Sequence, residues 1–336
     1  MIKTVLLIIS LLTQLLADAP AWFGNVPSSA VYEIIGYGEG ISLDEAKMNA
    51  KSDIAKTIRS HIDSTSITQT SVNNTTLDHN ASQSVRETSN LTLSDVVMLQ
   101  HDQKDGRSYV ALQYDNRPLF IKLAKLGGQS LCGESNPYLS QTPILKNLAT
   151  ELNCSTSIEI TRDQNGWYLG RAAHRVVLNE SDFEGMMIET SSGSLRLSST
   201  PVRVNVDEVY TLILDTLPLS GYLSLFDVYD DGKVVVMEKN IDLTRHAKKK
   251  LLYPNDLRPD LELVGGLNTP AKDALDLCVA VVSAQPLELS KFTPMGELAE
   301  KRDRAYAVDQ LLFLMKNNSF ATTLITTSAT KISTKF

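Results

Sequence analysis

The sequence predicts a multi-domain α+β protein. It should have an N-terminal α/β sandwich unit with a long amphipathic helix, a small middle α+β unit, and a C-terminal mostly-β, sandwich-like unit with a late helix. Three observations carry that expectation. Ala46, Ala50, Ile54, Ile58 and Ile62 recur every fourth residue, with Ala55 beside them, which is the spacing of one buried helix face. From residue 202 onward the apolar residues gather instead into short runs separated by turn residues, the pattern of a sandwich. Between these regions lies a stretch with one helical stripe and one hairpin signal. A chain of 336 residues with 43% hydrophobic content has room for two or three domains of about 100–200 residues each and excludes wholesale disorder.

In chain order, residues 1–17 read as a signal peptide. Lys3 gives a positive start, residues 5–16 are mostly apolar, and Leu15-Leu16-Ala17 offers a small residue for cleavage after Ala17. The run is shorter than the ~20 residues needed to span a bilayer, and no cysteine follows it to be acylated. The expectation is therefore export to the periplasm, with no transmembrane segment in the mature chain and at most peripheral contact with the outer membrane.

Residues 18–126 form the first predicted domain. The segment "EIIGYGEGISLDEAKMNAKSDIAK" reads as a strand, a glycine-rich turn and a helix opened by a capping box of Ser42 and Glu45. A dinucleotide site would want G-x-G-x-x-G leading into the helix. Here Gly36 and Gly38 are followed by Gly40, one place early, with Ile41 at the required position. Asp44 and Glu45 in the first helical turn would also repel a phosphate. The glycines are therefore read as structural, serving positive φ and close backbone approach. Residues 64–90 are rich in Ser, Thr and Asn and predict either a polar helix pair or a loose arm. A hairpin turning at Asp105-Gly106 and a short helix over 118–125 complete the domain.

Residues 127–201 form the middle domain. Ile144, Leu145, Leu148 and Leu152 make a helical stripe, Asn165-Gly166 signals a hairpin, and Trp167 is expected to cover the core. Residues 189–200 read as an edge strand and linker. In residues 202–336, strands are expected in "EVYTLILDTL", "GYLSLFDVYDDGKVVVMEK" and "LDLCVAVVSA", with a helix over 296–316 and a last strand in the tail.

Chemistry is sparse. A net charge of -7 disfavours nucleic acid as a partner, and the basic run 245–250 reads as a solvated loop. Asp227, Asp231, Gly232 and Glu238 fall at the first, fifth, sixth and twelfth positions of a calcium loop. Tyr229 stands at the third position, however, and the flanks are strand-like, so Asp231-Gly232 is read as a hairpin turn. The histidines, His61, His79, His101, His174 and His246, lack metal-ligand spacing. Nucleophile-elbow and zinc-protease motifs are absent from the sequence. The reading is a non-enzyme without cofactor or metal.

Of three cysteines, Cys278 sits in an apolar run and is read as buried and unpaired. Three pairings are open, and Cys132 with Cys154 is favoured because the two flank one candidate helix and its loop. Asn80 and Asn153 fit an acidic-x-Asn-x-Ser/Thr glycosylation sequon. Trp22 and Phe23, near the mature N-terminus, are candidate interaction anchors.

With these residues in view, "EIIGYGEGISLDEAKMNAKSDIAKTI" resembles the signature of a bacterial envelope lipoprotein family related to flagellar FlgP, and in outline the N-terminal domain of flagellar FlgT. "VMLQHDQKDGRSYVALQYD" would be that domain's closing hairpin. The stretch "GYLSLFDVYDDGKVVVMEKN" with "LLYPND" resembles an uncharacterised module of exported bacterial proteins. These likenesses imply a periplasmic scaffold or accessory of an envelope assembly such as the flagellar motor surround, with other envelope proteins or itself as partner. The alternative is a periplasmic module binding a small molecule, glycan or ion between the second and third units.

Overall fold

The computed structural model describes residues 19–27, 32–69, 96–246, 248–296 and 306–329, with the side chains of residues 59–69 outside that description. Helices and strands are mixed, as the sequence predicts. Two compact units are formed, Met1–Pro118 and Leu119–Phe336.

In the first unit three antiparallel strands lie in the order β1-β3-β2, namely β1 (Glu33–Gly40), β2 (Val96–Lys104) and β3 (Arg107–Asp115). Helix α1 (Leu43–Gln69) packs Ala46, Ala50, Ile54 and Ile58 against Val110 and Leu112 of β3. Half of the capping box forms: Ser42 Oγ accepts from the Glu45 N–H at 3.2 Å, while Glu45 Oε2 reaches one residue past the cap and accepts from the Ile41 N–H at 2.8 Å. The β2–β3 hairpin turns at Asp105 and Gly106, whose φ values of 53° and 75° are those of the tight turn matching strand twist.

The glycines correct one expectation. Gly36, Gly38 and Gly40 do not form a turn; they lie inside β1, paired with Leu112, Val110 and Ser108. Spaced two apart, they share one face of the strand. A Cβ on Gly38 would fall 1.9 Å from the Ala46 carbonyl oxygen, and one on Gly36 2.3 Å from that of Ala50. These glycines let the α1 backbone lie directly on the strand, where no side chain fits.

The second unit is layered about a six-stranded sheet of order β15-β11-β10-β14-β16-β8. Its strands are β8 (Arg203–Asn205), β10 (Tyr222–Tyr229), β11 (Val234–Asp242), β14 (Ala274–Ser283), β15 (Thr293–Pro294) and β16 (Ser319–Ser328). On one face, Leu277, Val279 and Val281 of β14 join a core with α2 (Leu119–Gly127), α3 (Pro143–Leu152), α4 (Glu180–Met186) and α5 (Val308–Asn317). The same core takes in the hairpin sheet β4 (Glu159–Asp163), β5 (Gly166–Arg171) and β6 (His174–Leu178), through Ile160, Trp167 and Leu169. On the opposite face, Cys278, Ala280 and Val282 meet a second sheet centred on β9 (Val209–Asp215), flanked by β7 (Arg196–Thr200), β12 (Leu251–Tyr253) and β13 (Leu263–Val264). Strand β14 is thus covered on both faces, which explains its nearly continuous apolar run.

Two turn details refine the sequence reading. Asp163 pairs with Gly166, so the β4–β5 turn is Gln164-Asn165, one residue before the expected Asn-Gly. The Asp163 carboxylate accepts from the Asn165 N–H at 2.7 Å and supplies the local turn bond instead. Gly232, at φ 83° in the β10–β11 turn, sits against Trp167 and Phe183, and a Cβ there would be 3.0 Å from the indole.

Candidate functional site

The first unit carries an exposed apolar edge. Strand β2 pairs only with β3 among the described residues, so its outer row of backbone groups is free to accept another strand. Val97, Met98 and Leu99 are consecutive and 62%, 47% and 41% exposed. Met98 stands opposite Leu112 and Gln100 opposite Ala111, leaving Leu99 as an unpaired bulge residue. The sequence reading placed these residues in a hairpin but did not single them out. The signal was available in the run Val-Val-Met-Leu: an edge strand covered on one face alternates apolar with polar residues, and this one does not.

Trp22 and Phe23 are half-buried rather than fully presented. Phe23 packs edge-on against Tyr37 and Tyr109 at 5.6 and 5.2 Å, and Trp22 packs edge-on against Phe23 at 5.8 Å. The Tyr37 hydroxyl also accepts from the Val26 N–H at 2.7 Å, tying this segment to its own sheet.

In the second unit Cys132 and Cys154 are joined as a disulfide with Cα atoms 5.8 Å apart. The bond clips the segment before α3 to the residue following its C-cap. That cap is Asn153, exposed and left-handed at φ 52°, so its backbone geometry is fixed by the helix end. Asn80 lies outside the described residues.

The unusual chemistry lies inside the sandwich. Asp227 on β10 stands opposite Cys278 on β14, and Tyr229 stands opposite Asp276. All four point to the face occupied by Leu225, Ala280 and Ile325, away from the helical core. Asp227 and Asp276 are each 8% exposed. The Cys278 thiol lies 4.0 Å from Asp227 Oδ1, and Tyr210 of β9 hydrogen-bonds its sulfur. Burial pushes the Asp227 carboxyl up to about 7, opposed by a hydrogen bond from the Val228 N–H. Asp276 is held well above the usual carboxylate range, by burial first and by the charge of Asp227 second. Burial, reinforced by these two acids, also raises the Cys278 thiol.

Nearer the surface the charges are paired. Lys272 donates to Glu180 and Glu184 at 2.9 and 3.0 Å and lies 3.7 Å from the buried Asp230, which also accepts from Asn268 at 3.0 Å. Burial alone would lower the Lys272 amine, but the two glutamates raise it to about 12.

The calcium-loop residues do not converge. Asp227 is inside the sandwich, Asp231 and Gly232 make the β10–β11 turn, and Glu238 lies on β11 opposite Leu225. Among the described residues no group of three or more His, Cys, Asp or Glu side chains could hold a metal ion. His101 is exposed, His174 and His246 are half-buried, and the side chains of His61 and His79 are outside the described residues. No described helix is long and apolar enough to cross a membrane.

Neither the curated proteins nor the solved structures hold a significant match to this chain. The comparison that does succeed falls on the glycine-notched strand, helix and hairpin of the first unit. Residues 20–115 match the family model of the LPP20 lipoproteins, so this stretch of the chain is similar to a family of exported bacterial envelope lipoproteins.

Proposed function

We propose that the protein is a non-enzymatic periplasmic component of an envelope assembly, acting as scaffold or accessory, with the flagellar motor surround as its setting. The observation that supports this reading is the free β2 edge with its Val97-Met98-Leu99 run, placed within the stretch similar to envelope lipoproteins. An exposed sheet edge recruits a partner by strand addition: main-chain hydrogen bonds supply affinity and alternate side chains supply register. Similarity to the flagellar proteins FlgP and FlgT belongs to this proposal, as does the absence of catalysis.

The test is how the native protein divides between soluble periplasm and purified flagellar basal bodies. Enrichment with basal bodies that drops at least tenfold in Val97→Lys/Leu99→Lys supports the assignment. Recovery almost wholly in the soluble fraction overturns the motor assignment.

A further inference from the structure

The acids inside the sandwich have no role in the contact surface just described, and their placement is costly. Two ionised carboxylates on adjacent strands, walled by Leu225, Ala280 and Ile325, would repel each other where little water screens them. Among the described residues neither has a counter-ion within the cluster: Lys272 is engaged by Glu180, Glu184 and Asp230, and Lys233 by Asp231. A second observation points the same way. Asp276 Oδ1 has no hydrogen-bond partner, and neither do the buried hydroxyls Ser199 Oγ and Thr327 Oγ1. Thr327 lies opposite Ala274 and Asp276 opposite Ile325, which places Thr327 and Asp276 on the same inner face of β16 and β14. A buried anionic oxygen with no donor is strongly unfavourable, and a bound proton removes that cost most simply.

We propose that Asp227 and Asp276 form a proton-sharing pair, so that closing the sandwich of the second unit takes up a proton and the unit loosens as that proton is lost. The pair titrates as one system rather than as two independent acids. Tyr229, Asp230 and Asp231 flank it from β10 and its turn, Cys278 from β14 and Tyr210 from β9. Tyr253 of β12, bonded to the Glu238 carboxylate that Arg258 also pairs with, faces Cys278 from the second sheet. Asn268 contacts both Asp230 and Asp276; beyond Asp230 lie Lys272, Glu180 and Glu184, and Lys233 sits on Asp231. On the β16 side Glu189 accepts from the Thr323 hydroxyl at 2.9 Å, while β11 offers the apolar Val235 opposite Asp227. Both nearby amines, Lys272 and Lys233, are committed to other carboxylates, and the charges of Asp230 and Asp231 favour retention of the proton. Asn268, an exposed residue, hydrogen-bonds Asp230 at 3.0 Å and also Asp276, a contact that opposes the raising of the Asp276 carboxyl without cancelling it.

The sign follows from the direction of the shifts. Both folded carboxyls are raised above the ordinary value of 3.8. Their stabilising effect is therefore complete below that value and is lost as pH climbs through the folded range, which for Asp227 ends at about 7. The experiment is thermal unfolding of the full chain between pH 5 and pH 8, comparing wild type with Asp227→Asn, Asp276→Asn and the double variant. The wild-type Tm should fall by about 5–10 °C more than that of the double variant over this window. Parallel profiles overturn the proposal. Should the variants fail to fold, the infrared spectrum of the folded wild type decides. A protonated-carboxyl band at pH 6 that fades by pH 8.5 supports the pair, and its absence at pH 6 overturns it.

Discussion

The two units of this protein handle their sheets in opposite ways. The first lays one helix on three strands and, among the described residues, leaves the β2 edge uncovered, with Val97, Met98 and Leu99 exposed. The second covers its six-stranded sheet on both faces and places carboxyls, a thiol and hydroxyls within the inner layer. Surface in the first unit is available for contact. In the second, the titratable chemistry is hidden, and the effect proposed for it is read through stability. A substitution should therefore be read differently in each unit: by close packing on the β1 glycines, by loop closure and turn geometry in the second unit, and by association at β2.

The largest effect is expected at the helix–strand contact of the first unit. In Gly38→Ala the new methyl would sit 1.9 Å from the Ala46 carbonyl oxygen, which is backbone and cannot turn aside. The expected loss is about 3 kcal/mol or more, read from the urea midpoint. Gly36→Ala should follow closely. Gly40→Ala should cost least, because its nearest neighbours, the Ala46 nitrogen at 2.7 Å and Glu45 Cβ and Cγ at 2.8 and 2.9 Å, lie farther off than the backbone oxygens facing Gly36 and Gly38. A flat series would show that α1 does not rest on β1 through these positions.

In the second unit, replacing Cys132 and Cys154 by serine opens a loop with a sequence separation of 22. Loop-closure entropy sets the expected cost at about 3 kcal/mol, measured by denaturant unfolding with and without reductant. Reductant should leave the double variant unchanged. Gly232→Ala should cost somewhat less, about 1–3 kcal/mol, because its positive φ disfavours a side chain and the new Cβ would press on Trp167. A quench difference in Trp167 fluorescence would report that contact directly.

How much of this was legible in the sequence depended on the range of the cause. The α1 cap, the Asp105-Gly106 turn and the apolar strands from residue 202 are local, and residue type alone specifies them. The role of the β1 glycines was half legible. Their spacing of two is that of one strand face, and Ala46, Ala50 and Ile54 recur at the spacing of one helix face. Reading the two periods together gives a notch rather than a turn, but the comparison with nucleotide motifs drew attention to the loop. The core shared by residues 127–201 with the six-stranded sheet is a long-range arrangement with no local signal. Asp276 was visible as one acid in an otherwise apolar run, yet only the pairing of β10 with β14 brings it beside Asp227.

The smallest expected effect on stability is also the one that bears most on function. Val97, Met98 and Leu99 are already largely in water, so Val97→Lys/Leu99→Lys should shift the urea midpoint by no more than about 0.5 kcal/mol per site. Lysine on an edge strand is itself a device against edge-to-edge pairing. The same double variant should therefore keep its fold and its thermal profile while losing association, measured by sedimentation of the full chain or by co-fractionation with the envelope. If association survives lysines at both positions, the contact surface lies elsewhere. If instead the fold collapses, the edge is already covered by its own chain, and the contrast between an open first unit and a closed second unit does not hold.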